Sequence, residues 1–327
     1  MSNSALPVCS ALEILQLECP EHRIYQRVIG DRPFCMADAI GPDVQPRFAQ
    51  AETVDRLRAR LRVPEAEFSA EVPSIARVYD VLLGGKDNFA ADRAQAQQVL
   101  EVFPYAAELA VQARQFQARA VSYVAGMGIG QFIDVGCGLP TAPNTHETAQ
   151  AVQPGARVAY VDNDAQVLSH ARNLLGRSAG ALACAGDLCY PAEILYDWRL
   201  REFIDFHQPV CLILAMTMHF FPAGQAGKIT AELIGILPAG SYVIMSVVGG
   251  DTELGEQMAR TYTTAPVWNH GPGGLAHFLR DLDITEPGIV EARQWRASPL
   301  APGHRRGQAW AAVGRKPPAP PAGAEQP

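Results

Sequence analysis

Residues 210–216 read VCLILAM, an apolar run unbroken by any polar side chain. A strand with one wet face alternates apolar and polar residues, whereas a run apolar on both faces needs cover on both. A central strand of a parallel sheet, packed under helices on each side, meets that demand. The flanking chain supplies the rest of such a sheet. Strand-like segments at 132–135, 157–162, 181–185 and 241–248 alternate with helix-like segments at 145–152, 165–175, 192–206 and 225–237. Residues 105–127 read as a long helix leading into the first strand, and 275–282 as a later helix. Late strands are expected near 289–291 and at 308–313. Strands alternating with helices predict an α/β fold, a mostly parallel, doubly wound sheet flanked by helices.

The first strand runs into a turn that reads QFIDVGCGLPTAPN over residues 131–144. Gly136 and Gly138 let a backbone approach a nucleotide closely between strand and helix. A dinucleotide turn would carry a third glycine, but Ala142 and Pro143 fill that place. The turn therefore suits a nucleoside-bearing ligand without a pyrophosphate, and S-adenosylmethionine is the obvious case. Cys137, between the glycines, reads as a small side chain filling the turn in preference to a nucleophile.

Composition narrows the partners. The 327 residues are 48% hydrophobic and 19% charged, enough to bury a full core. A formal net charge of −7 argues against a nucleic-acid backbone as partner. Basic residues cluster only at 56–62, which reads as the charged face of a helix, and at 304–306. The seven cysteines form no CxxC pair and no dense framework, so reduced thiols fit better than disulfides or zinc, and no metal site is expected. No apolar run has membrane-span length, and no basic leader precedes the only N-terminal apolar patch. A cytoplasmic protein without membrane partners is the expectation.

Residues 1–71 form an N-terminal extension, with short helices expected at 10–17 and 53–61 and turn chemistry at Asp31-Arg32-Pro33. An accessory cap, a homodimer arm and a mobile segment all remain open for it. The proline-rich tail, 316–327, is expected to be disordered. Between them, residues 73–92 carry Ser74 as a helix cap, apolar residues at helical spacing, and a Gly84-Gly85 stop, with Asp87 or Asn88 capping a second helix. Arg77, Tyr79, Lys86 and Asn88 crowd around that glycine hinge. Either this is a plain helix hairpin, or it covers a cofactor's polar end with Lys86 or Arg77 facing a carboxylate.

In a doubly wound sheet, ligands lie beyond the carboxyl ends of the strands. The second strand stops at Asp162, whose carboxylate can accept from two ribose hydroxyls; Asn163 is grouped with it, and Asp164 caps the next helix. After the third strand, Asp187 can accept from an adenine amino group while the Leu188 amide donates to the ring; the other reading of Asp187 is a cap for the helix at Pro191. The fourth strand delivers Thr217, Met218 and His219 to the rim, where His219 is placed to act as a base or to orient a substrate.

Glycine turn, acid and second acid on successive strand ends is the layout of class I S-adenosylmethionine-dependent methyltransferases. ARVYDVLLGGKDNFAADR (76–93), FIDVGCGLPTAPNTHE (132–147), AYVDNDAQVLSHAR (159–172) and MHFFP (218–222) resemble, more specifically, the actinobacterial "S-adenosyl methyltransferase" family, formerly a domain of unknown function. The resemblance spans about 72–315. It implies a Rossmann-like methyltransferase domain with an N-terminal helical cap at 72–127. Gly136, Gly138, Asp162 and Asp187 would bind S-adenosylmethionine, and Tyr79, Gly85, Lys86 and Asn88 would close over it. The chain departs from the family at Cys137, where a threonine is usual, at Ala113, where an asparagine is, and over 262–274. A small-molecule acceptor and in-line methyl transfer follow as the expectation, with Tyr79, His146, His219 and His270 as candidates to deprotonate or orient it. Two alternatives use the same pocket: aminocarboxypropyl transfer or ring closure releasing methylthioadenosine, and a non-catalytic S-adenosylmethionine-binding module.

Overall fold

The computed structural model describes residues 26–29, 32–35, 69–175, 178, 180–250, 252–298 and 308–318. The chain divides into two compact units, Met1–Glu65 with Tyr196–Arg199, and Ala66–Leu195 with Leu200–Pro327. In the first, Gln26–Ile29 pairs antiparallel with Arg32–Cys35, Ile29 opposite Arg32. The stretch read as turn chemistry at Arg32-Pro33 is thus strand. The helices expected at 10–17 and 53–61, and the tail beyond 318, lie outside the described residues.

The second unit holds the sheet. Its strands are β1 (Gln131–Val135), β2 (Arg157–Asp162), β3 (Ala181–Ala185), β4 (Cys211–Ala215), β5 (Tyr242–Gly249), β6 (Asp283–Ile284), β7 (Val290–Glu291) and β8 (Gln308–Arg315). The order is β3-β2-β1-β4-β5-β8-β6, with β7 also on β8. The first five are parallel, and β8 runs antiparallel to β5, Gln308 opposite Gly249 and Arg315 opposite Tyr242. Because β1 lies between β2 and β4, the strand order reverses there, and the crevice of the sheet opens at its carboxyl end.

The helices are α1 (Ile75–Leu82), α2 (Ala90–Val102), α3 (Ala106–Gly126), α4 (Thr145–Val152), α5 (Ala165–Leu175), α6 (Pro191–Tyr196), α7 (Trp198–Phe203), α8 (Ala223–Ile236), α9 (Thr252–Thr261) and α10 (Gly271–Phe278). Alternate strand residues feed two cores, one on each face. Phe132, Ile213 and Ile244 pack with Phe116, Val121 and Val124 of α3. Ile133, Leu212, Leu214 and Met245 pack with Leu233 of α8 and Phe278 of α10. This two-sided burial is why the strands read as continuous apolar runs. None of the described helices is long and apolar enough to cross a membrane.

Three boundaries differ from the sequence reading. The helix expected over 192–206 is broken at Asp197, whose Oδ1 accepts the Arg199 amide at 2.9 Å and so starts a new helix. The helix expected at 275–282 begins earlier, at Gly271. Lys316, grouped with the proline-rich tail on sequence, instead continues the fold. Its amide donates to the Ser241 carbonyl at 2.7 Å, and its Nζ donates to the carbonyls of Ile234, Gly235 and Leu237 at the end of α8. A lysine at a helix C-terminus satisfies carbonyls that have no partner within the helix.

Candidate active site

The turn after β1 holds Gly136 at φ 68° and Gly138 at φ 64°, left-handed backbone that glycine enters without steric cost. At Gly136 a Cβ would also sit 2.3 Å from Thr217 Cγ2, so the close approach of β4's end requires glycine there. At Gly138 nothing lies within 4 Å of where a Cβ would be, and the turn is open on that side. The Gly136 amide donates to the Val161 carbonyl at 2.8 Å, and the Gly138 amide donates to Asp162 Oδ2 at 3.0 Å. Asp162 Oδ1 accepts from the Asp164 amide at 3.0 Å. Gly136, Gly138 and Asp162 are therefore one bonded assembly. Asp162 is buried, and burial raises its pKa to about 6 against the opposing effect of these amides. Burial beside Asp162 and Asp134 pushes the Cys137 thiol well up, so it fills the turn as an unreactive thiol.

Asn163 is exposed beside Asp162. Asp164 caps α5 as expected, its Oδ1 accepting the Gln166 amide at 2.8 Å. At the end of β3, Asp187 Oδ1 accepts the Cys189 amide at 2.8 Å, closing the turn ahead of α6. The half-buried Leu188 leans on the core.

Beyond β4, Met216 sits at φ 56°, a strained conformation for a long side chain. Its amide is anchored by the Ser246 carbonyl at 2.9 Å. The kink turns Thr217 towards Gly136 and starts a short 3-10 turn, Met218–Phe220. His219 is buried, lies 4.3 Å from the Phe220 ring, and has a pKa lowered to about 3, first by burial and then by the neighbouring His270. Phe220 in turn meets Tyr262 at 6.1 Å. Thr217 Oγ1 and His219 Nδ1 are both buried without a hydrogen-bond partner among the described residues. Such atoms in a crevice call for an explanation, and a ligand is one. His270 is engaged elsewhere, its Nε2 donating to the carbonyls of Met218 and Phe221.

The cap is a hairpin wrapped around Asp80. Asp80 Oδ2 accepts from the Asp87 amide at 3.0 Å and from Asn88 Nδ2 at 2.9 Å. A Cβ on Gly85 would fall 1.9 Å from Asp80 Oδ1. Gly85 and Asn88 thus build the turn, and Lys86 is exposed on it. Tyr79 donates to the Ala110 carbonyl at 3.1 Å, and its pKa is pushed up to about 12 by burial. Neither Asp87 nor Asn88 caps α2; instead Asp92 Oδ2 accepts the Phe89 amide at 2.8 Å. Arg77 corrects the expectation that it faces a ligand carboxylate. It is buried and ion-paired with Asp92 at 2.8 Å, and it also donates to Gln166 Oε1 at 3.0 Å. A buried guanidinium needs such a partner.

His146 stands apart from His219. At the start of α4 its amide and its Nδ1 both meet the Tyr160 hydroxyl at 2.8 Å. The hydroxyl accepts from the amide and shares a hydrogen bond with Nδ1. Two groups not singled out from the sequence also border the turn: Arg114 of α3 and Asp134 of β1 line a recess with Gly138. On a long helix, Arg114 carries no signal that separates it from a solvated arginine.

No curated protein matches the chain. Among solved structures, a candidate methyltransferase from Thermobifida fusca is 35% identical, covering 79% of this chain and 99% of that one with a TM-score of 0.71. A DUF574 family protein from Streptomyces avermitilis is 33% identical, covering 76% and 99%, with a TM-score of 0.70. The family model for S-adenosyl methyltransferase matches residues 62–317. The chain belongs to the S-adenosyl methyltransferase family and is an S-adenosylmethionine-dependent methyltransferase.

Proposed function

We propose that the enzyme methylates a small-molecule acceptor held beside the Thr217–Phe220 segment, with the cofactor's adenosine lying across the ends of β1, β2 and β3. The observation that carries this is the joined Gly138–Asp162 pair, which sets a buried carboxylate beside an open glycine turn at the point of strand-order reversal. A carboxylate there suits a ribose diol, and the Asp187-Leu188 turn suits an adenine edge. The rings of His219, Phe220 and Tyr262 supply an apolar wall for an acceptor.

When bound, S-adenosylmethionine supplies an activated methyl group, so the protein's task is alignment and exclusion of water. The four residues considered as bases fit that division, His270 already donating its Nε2 to the Met218 and Phe221 carbonyls. His219, with a pKa of about 3, is neutral at physiological pH, so it can orient an acceptor but is a weak proton acceptor. Tyr79 stays a phenol bonded to Ala110, and His146 is tied to Tyr160. An acceptor that attacks without prior deprotonation, such as a carboxylate or a heteroaromatic nitrogen, fits best.

The test is to incubate the protein with S-adenosylmethionine and a panel of small phenols, amines and heteroaromatics, and to identify the nucleoside product. S-adenosylhomocysteine together with a methylated small molecule is the expected result. Methylthioadenosine would overturn methyl transfer in favour of aminocarboxypropyl transfer or ring closure. Modification of macromolecules alone would overturn the small-molecule assignment.

A further inference from the structure

α9 carries no buried residue, and its half-buried Leu254 and Met258 lean on the core. A helix with so little burial belongs to the low-stability end of a fold unless a neighbour holds it. The cap supplies that hold, since α9 packs on α2. Gln95 of α2 is 4% exposed, and its side-chain amide clasps the end of α9. Its Nε2 donates to the Thr261 carbonyl at 3.0 Å, while its Oε1 accepts from the Thr263 amide at 3.2 Å and from the Thr263 hydroxyl. Nε2 also donates to Gln98 Oε1 at 3.2 Å, so every position on this buried amide is used.

The clasp closes on the backbone at both sides of Tyr262. That side chain is 9% exposed, and its ring lies 6.1 Å from Phe220, which lies 4.3 Å from His219. The far end of the segment is fixed to the same rim, the Trp268 amide donating to the His219 carbonyl at 2.8 Å. One turn before Gln95, Asp92 faces the cofactor side. It accepts the Ser74 amide, and the Ser74 hydroxyl donates to Asp164, whose own amide holds Asp162. α2 therefore connects to both halves of the site, through Asp92 to the end of β2 and through Gln95 to the acceptor wall. Coupling between two sites needs one element that both bias, and α2 is that element. We propose that Gln95 is a positioning residue for methyl transfer, coupling the cofactor-bound cap to the Tyr262 ring so that the acceptor wall is set once the cofactor is in place. This rests on the cofactor cradle and acceptor wall proposed above. Gln95 acts through the backbone of 261–263, not on either ligand.

Amide hydrogen exchange on the full chain, with and without S-adenosylhomocysteine, separates this role from a structural one. In the wild-type protein the nucleoside should slow exchange over 75–102 and also, by about fivefold or more, over 252–268. In Gln95→Ala the cap should stay protected, while the nucleoside slows 252–268 by less than about twofold. Thr263 is exposed, so Thr263→Val breaks part of the clasp without opening the core. It should lose part of the remote protection, and Thr263→Ser, which keeps the hydroxyl, should restore it. A purely structural tie would speed exchange over 252–268 equally with and without the nucleoside. That unchanged ratio in Gln95→Ala would overturn the proposal, as would a wild-type protein protected in its cap alone. Should Gln95→Ala not fold, the same ratio in the two Thr263 variants decides. Protection nowhere in the wild-type protein would overturn the cofactor cradle itself, and the coupling with it.

Discussion

The Gly138 amide and Asp162 Oδ2 are 3.0 Å apart, so the turn after β1 and the end of β2 hold one another in place. Asp162 accepts from two amides, with the Cys137 thiol also facing Oδ2 at 3.9 Å, and has acceptor capacity left over. Replacing Asp162 with alanine removes both the diol acceptor and the brace on the turn. Affinity for S-adenosylhomocysteine should fall at least about a hundredfold, in line with the loss of charge-assisted hydrogen bonds at a buried site. The pH dependence has a definite sign. The free protein's Asp162 titrates at about 6, raised from the ordinary carboxylate value by burial, and the ionised form is the better acceptor. Affinity should therefore be flat above about pH 7 and weaken by up to about tenfold for each pH unit below 6. Titration calorimetry between pH 5 and 8 checks both, and an unchanged affinity in Asp162→Ala would show that the ribose lies elsewhere.

His219 gives the opposite expectation for catalysis. Its imidazole is neutral down to about pH 3, so no rise in kcat between pH 5.5 and 7.5 should trace to it. His219→Gln keeps a hydrogen-bonding side chain and should act mainly on acceptor binding, raising KM more than it lowers kcat. A kcat limb near pH 6.5 that vanishes in the variant would restore His219 as a general base.

Four of the five parallel strands, β1, β2, β4 and β5, were legible to within a residue or so because each is buried on both faces, and such runs stand out from any amphipathic pattern. The start of α10 was not. Gly271, Gly273 and Gly274 read as a loop, yet a Cβ on Gly249 would lie 2.3 Å from the Gly271 Cα. Part of that glycine cluster serves close packing of helix on strand, which composition does not distinguish from turn chemistry. The places of Asp162 and the glycine turn were readable because each follows a strand boundary, and strand ends in a doubly wound sheet face its crevice. The partner of Arg77 was not, since which carboxylate an arginine meets depends on contacts across the fold. Asp92 lies fifteen residues from Arg77, and it claimed that one.

The two glycines of the cap hinge should respond differently to alanine. Gly84 has φ 75° and open space around it, so Gly84→Ala bears a conformational cost of about 1 kcal/mol. At Gly85 the added methyl meets Asp80, whose carboxylate holds Asp87 and Asn88. Gly85→Ala must displace that carboxylate and should cost about 2–3 kcal/mol. Denaturant melts of the two variants read the difference. Equal losses would mean that Asp80 is not the centre of the turn.

Ser74 ties the cap to the cofactor side of the sheet. Its hydroxyl donates to Asp164 Oδ2 at 2.6 Å, and its amide donates to Asp92 Oδ1 at 3.0 Å. The same Asp164 caps α5 through Oδ1, and its amide holds Asp162. A single residue therefore bridges the first cap helix and the end of β2 at Asp162. Ser74→Ala removes this bridge together with the N-cap of α1, and should cost about 1–2 kcal/mol of stability. The bridge also predicts a kinetic effect. Cap opening and ligand escape should become easier together, so S-adenosylhomocysteine should dissociate several-fold faster, with little change in its association rate. Ser74→Thr, which retains the hydroxyl, should restore most of both. Stopped-flow dissociation alongside thermal melting separates the two roles: a lower melting temperature with an unchanged off-rate would make Ser74 a helix cap and nothing more.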